Sequence, residues 1–210
     1  MFVRMTRAQT SPDRFDEAAK IWTEQVLPTA RQQAGFSGAT LLANRATGEG
    51  LTVTYWASEA ALRASDVNAD ARRGQIAQAT GGQVLEVDRF ELVIWERDAQ
   101  PKANTFVRIN DIQGSPGKIE AGIRFVQEQV VPAVKALKGY RALIMGVNRA
   151  SGRVFVTTVW ETAADRDASE AALTEQRRQG GQILGAEQVK VENYEAVFIE
   201  LNVPATVGAA

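Results

Sequence analysis

Arg4 in FVRMTRAQ and Arg108 in FVRINDIQ are the residues best placed by type and neighbourhood to do chemistry. Each lies in a stretch whose apolar and polar residues alternate, which predicts a strand, and each shares a face with the phenylalanine two residues before it, Phe2 or Phe106. A guanidinium on a buried face needs a partner. One candidate is an acid of the repeat's last strand, Glu91 or Glu195, giving a structural ion pair. The other is an anionic phenolate or enolate, oriented in a pocket by the fixed fork of guanidinium donors. Asn110 follows Arg108 on the same face, and Thr6 follows Arg4. Trp56 and Trp160 each end a β-rich stretch, where an indole can plug the core or form the wall of a pocket for a planar molecule.

Absences narrow the chemistry further. The 210 residues include no histidine and no cysteine. That excludes disulfides, Cys/His zinc sites, His or Cys haem ligands and Ser-His or Cys-His dyads. The expectation is no metal and no cofactor, because a metal would need carboxylates and no DxDxDG-like loop is present. Acid–base work would fall to Asp, Glu, Lys, Tyr or the substrate itself, and no residue stands out as catalytic. Lys and Arg number 24 against 25 acidic residues, for a net charge of -1, so nucleic acid is not an expected partner. With no signal-peptide pattern and no run long enough to span a bilayer, the reading is a soluble cytoplasmic protein with no membrane contact.

The elements that must hold these residues occur twice. Superposing residues 2–96 on 106–200 without a gap gives roughly 27 identities in 95 positions, a tandem repeat. The boundaries read from it are repeat 1 at 1–98, a polar linker at 99–105, repeat 2 at 106–201 and a loose tail at 202–210. In each repeat Ser-Pro (11–12, 115–116) predicts a serine-capped helix start with proline in its first turn. Pro28 and Pro132 must then kink or restart that helix. Two strands joined through NRATG or NRASG predict a hairpin whose turn uses Asn44 or Asn148. Ser58 and Thr162 predict the caps of a second, alanine-rich helix ending near 79 and 183, and a last strand closes the unit. The glycine clusters RRGQIAQATGG and RRQGGQILG match no phosphate-binding loop and read as helix termini.

Each repeat is thus βαββαβ, and the fold class is α+β: two tandem ferredoxin-like units forming an intramolecular dimeric α+β barrel. Strands apolar at both parities, such as Ala142, Leu143, Ile144 and Met145, need cover on both faces, which an internal pseudo-dimer supplies. Further homodimerisation is compatible with that arrangement.

The strand-to-helix corners YWASEAALRAS and VWETAADRDAS resemble those of the antibiotic-biosynthesis-monooxygenase-like proteins of the dimeric α+β barrel superfamily. The resemblance covers nearly the whole chain, once per repeat. It implies a cofactor-independent monooxygenase acting on a planar phenolic or polyketide-like small molecule, with Arg4, Arg108, Asn110, Trp56 and Trp160 as the expected ligand-binding residues. The alternative is a non-catalytic small-ligand-binding or structural barrel. Relatives place His or Trp nine positions after the strand-ending Trp, where this chain has Ser65 and Ser169. The haem-degrading branch of the family is disfavoured, since its ligand region offers Gly74 and Arg178 here.

Overall fold

In the computed structural model, which describes residues 1–98 and 102–202, the alternating segments become eight strands. They are β1 (Phe2–Gln9), β2 (Phe36–Asn44), β3 (Glu49–Trp56), β4 (Gln83–Arg97), β5 (Phe106–Gln113), β6 (Tyr140–Asn148), β7 (Arg153–Trp160) and β8 (Val189–Leu201). Residues 99–101 of the linker and 203–210 of the tail lie outside the described residues.

The helical run between β1 and β2 is broken where proline requires it. It comprises α1 (Phe15–Ile21), a π turn (Trp22–Val26) and α2 (Leu27–Arg31). Repeat 2 matches with α4 (Ile119–Phe125), a π turn (Val126–Val130) and α5 (Val131–Lys135). Pro28 and Pro132 have no amide hydrogen and crowd the carbonyl four residues back. The wider turn accommodates this: Leu27 N–H donates to Trp22 O and Val131 N–H to Val126 O, five residues away. The Ser-Pro starts differ from expectation in one respect. Each opens a 3-10 turn (Pro12–Arg14, Pro116–Lys118), and neither serine side chain caps it; Ser11 and Ser115 accept instead through their backbone carbonyls.

The hairpin and cap predictions hold in detail. Asn44 Oδ1 accepts from the amides of Ala46 and Thr47, and Asn148 Oδ1 from Ala150 and Ser151. The long helices α3 (Glu59–Thr80) and α6 (Ala163–Leu184) start at Ser58 and Thr162, whose hydroxyls accept from Ala61 and Asp165. They end at left-handed Gly81 and Gly185, the role expected for the glycine clusters.

The hydrogen-bonded order β1-β3-β2-β8-β5-β7-β6-β4 closes into a barrel. The chain divides into two compact units. The first contains Met1–Arg89 and the segment beginning at Glu195; the second contains Phe90–Tyr194. Within the first, β1 and β2 flank β3, and β2 also pairs with the end of β8, from Ala43↔Glu195 to Gly38↔Leu201. Within the second, β5 and β6 flank β7, and β6 pairs with the end of β4, from Glu91↔Val147 to Arg97↔Ala142. Each four-stranded sheet therefore completes itself with the final half-strand of the other repeat. Among the described residues no helix is long and apolar enough to cross a membrane.

Candidate functional site

In the first unit a cavity of ≈140 Å³ lies between the sheet and the helices. Strand β1 contributes Arg4, Thr6 and Ala8 at alternate positions, and β3 contributes Thr52 and Thr54. Helix α3 lines it with Ser65, Ala69, Arg73 and Ala77, four residues apart and therefore on one stripe. Phe15, Trp22, Val26 and Leu41 form the apolar wall.

Arg4 is 6% exposed and is held from three sides. Its Nη1 donates to Ser65 Oγ (2.8 Å) and to Asp66 Oδ1 (2.6 Å), and its guanidinium carbon lies 5.7 Å from the centre of the Trp56 ring. Ser65 passes the interaction on, its hydroxyl donating to Leu62 O at 2.6 Å. The other oxygen of Asp66 receives Arg89 Nε at 2.9 Å. Burial lowers the Arg4 pKa, the Asp66 hydrogen bond and charge oppose that shift, and the nearby charges of Arg73 and Arg89 add to it. Asp66 thus bridges Arg4 and Arg89.

The second unit repeats the arrangement with a different balance. Arg108 Nη1 donates to Ser169 Oγ (3.0 Å) and pairs with Glu170 Oε2 (3.0 Å), while its Nε reaches Asn193 Oδ1 (3.2 Å). Glu170 also takes both terminal nitrogens of Arg177, at 2.6 and 2.9 Å, and Asn110 Oδ1 receives Arg177 Nε at 2.8 Å. The Arg177 hydrogen bonds, helped by the charges of Arg177 and Arg108, hold the Glu170 carboxyl below its usual range against the opposing effect of burial. The cavity here is only ≈60 Å³.

Side-chain size accounts for the difference. Where the first unit has Ala8, Ala30, Ala69 and Thr80 around its cavity, the second has Ile112, Val134, Leu173 and Leu184, all buried. Those larger side chains fill the equivalent space.

The acids expected to pair with the two buried arginines are not the ones observed. Arg4 and Arg108 do not pair with Glu91 and Glu195, which bind Arg149 and Arg45 instead. Their acids come from the long helices, immediately after Ser65 and Ser169, a contact that strand alternation could not reveal. Trp56 and Trp160 line neither cavity and are 0% exposed; each indole N–H donates to the threonine two residues earlier in its strand, Thr54 (3.0 Å) or Thr158 (2.9 Å). Trp56 packs against the Arg4 guanidinium, beyond the cavity lining. Asn110 lines its cavity but positions Arg177. The residues missed were Arg73 and Arg177. Their spacing of eight from Ser65 and Ser169 within a helix was the available signal.

No imidazole is present, and the tyrosine of the strand-ending TYW does not replace it. Tyr55 is buried, and burial, opposed by a hydrogen bond with Thr40, pushes its phenol up to about 12. Among the described residues no cluster of three acidic side chains could hold a metal ion.

Residues 1–75, which carry β1, the hairpin, the strand-ending Trp56 and the Arg4–Ser65 contact, match the sequence model of the family described as antibiotic biosynthesis monooxygenase. That part of the first unit is similar to this family. An uncharacterized protein of Mycobacterium tuberculosis H37Rv is 23% identical over 99% of this chain and 92% of its own length. A second from the same strain is 23% identical, over 99% of this chain and 88% of its own length. A candidate monooxygenase from Fusobacterium nucleatum superposes with TM-score 0.73 at 12% identity, covering 100% of this chain and 98% of that one. An anthrone oxidase-like protein superposes with TM-score 0.72 at 14% identity, covering 100% and 96%. At these identities the structural likeness establishes the fold alone: a tandem ferredoxin-like α+β barrel.

Proposed function

We propose that the first unit is a cofactor-independent monooxygenase site for a small planar phenol. The observation that carries the reading is an apolar cavity with a buried, firmly held guanidinium at its polar end. A volume of ≈140 Å³ is close to the ~150 Å³ of apolar protein cavities that take up a single benzene ring. That size favours a phenolic substrate over a fused polyketide skeleton. In the chemistry envisaged, the ionised phenol supplies the electrons. One atom of O2 enters a ring carbon to give a quinone and the other leaves as water, a ring hydrogen and the phenolic proton going with it. Such a reaction needs no metal. Arg4 would favour the phenolate over the phenol and hold it in register, while the apolar walls exclude water around the developing charge.

Ser65 gives a second reading its support. The position at which relatives carry His is occupied by a hydroxyl that binds Arg4 and Leu62, so the site contains no neutral imidazole base. A module that binds the same phenol without oxidising it fits that fact. Oxygen consumption with phenol separates the two. The monooxygenase reading expects enzyme-dependent uptake that falls at least about tenfold in Arg4→Ala and in Ala69→Leu, which fills the cavity with the side chain repeat 2 already carries. Uptake at the protein-free rate for the unmodified chain would retire it in favour of binding.

A further inference from the structure

The second unit keeps the polar end of the first and loses its space. Arg108 donates to Ser169 Oγ at 3.0 Å as Arg4 donates to Ser65 Oγ at 2.8 Å, and Thr158 and Val130 line the second cavity where Thr54 and Val26 line the first. Yet the volume falls from ≈140 to ≈60 Å³, less than half of the ~150 Å³ of apolar cavities that take up a benzene ring.

The first helical run cannot account for the loss. Its wall residues are smaller in the second unit, with Ile119 in place of Phe15 and Val126 in place of Trp22, and that difference alone would widen the second cavity. The closure comes from α6, with Ile112 and Val134 adding bulk from β5 and α5. Leu173 stands where α3 has Ala69 and Leu184 where it has Thr80; both leucines are buried, and both line the space that remains. Leu184 depends on a further difference. A Cβ on Gly122 would lie 2.5 Å from Leu184 Cδ2, so glycine leaves the room this leucine occupies, where α1 has Ala18 beside the larger cavity.

We infer that each chain takes up one single-ring ligand, in the first unit, and that Leu173 and Leu184 are the size-determining residues that keep the second unit closed. The second site is latent: its arginine and serine are in place, and what it lacks is volume. Replacing both leucines by their counterparts, alanine and threonine, opens a second ring-sized site in the same chain. The inference rests on reading the first cavity as a phenol site, and adds the number of sites per chain and the residues that set it.

Equilibrium dialysis of the intact protein against phenol counts the sites. One phenol per chain is expected, none in Ala69→Leu, and two in Leu173→Ala/Leu184→Thr, with circular dichroism checking the fold of each variant. Combining all three substitutions should return the count to one, now in the second unit. Two phenols per chain before substitution, one that survives Ala69→Leu, a folded double variant that still takes one, or no saturable binding would each overturn the inference. The unmodified chain and Ala69→Leu decide it even where the double variant does not fold. Oxidation is judged by oxygen uptake, so the two readings fail separately. Two phenols per chain with uptake removes this inference alone, and one phenol per chain without uptake removes the oxidation reading alone.

Discussion

Ser65 and Ser169 show how one side chain can redirect a site. Each sits nine positions after a strand-ending tryptophan, accepts a hydrogen bond from a buried arginine and donates its own proton to a carbonyl three residues back in its helix. An imidazole there would have to share the space with a cation. A hydroxyl, acceptor and donor at once, satisfies the cation and itself. Removing it leaves Arg4 Nη1 with Asp66 alone. Ser65→Ala should therefore lower stability by about 1–2 kcal/mol in urea unfolding while leaving the fold intact by circular dichroism. Both the arginine and the serine could be picked out in the sequence, since each recurs after 104 residues. Their contact could not, because it joins a strand face to a helix stripe and depends on how the two pack.

At the level of elements, the periodic patterns and punctuation were enough to place every strand, the asparagine turns and the glycine helix ends. Alternation fixed strand faces, and turn chemistry fixed reversals. The alanine-rich stripe of α3 signalled only a marginal helix in the sequence. In the structure its small side chains are the reason a cavity exists above the sheet, and reading Ala69 against Leu173 would have located it. The π turns were half legible: proline demanded a break, but a wider turn, a kink and a restart all meet that demand. Gly38 in β2 marks another local requirement. It holds φ of 144° beside a register shift, and an added Cβ would lie 2.4 Å from the Glu200 carbonyl oxygen. The obstructing atoms are backbone of Glu200 and Leu201, which cannot swing aside as a side chain can. Gly38→Ala should cost about 2–3 kcal/mol, seen as a lower denaturation midpoint with unchanged slope.

At the scale of the whole molecule, duplication provides two compact units, and the exchange of final half-strands ties each to the other repeat's sequence. Phe90, Val93 and Ile94 of β4 are buried in the second unit, while β2 of the first unit pairs with residues 195–201. A fragment of residues 1–98 would carry an unpaired β2 edge and an apolar half-strand with no sheet to join. It should self-associate through that edge, giving dimers or larger species in analytical ultracentrifugation. A monodisperse, folded monomer of the fragment would contradict the exchange. The pairing of Gly38 with Leu201 also has a consequence for synthesis. The sheet that floors the cavity of the first unit lacks its outer strand beside β2 until residues 195–201 have left the ribosome. Until then the emerging chain holds Arg4 and its neighbours in an incomplete sheet, and the site is completed only when β8 arrives.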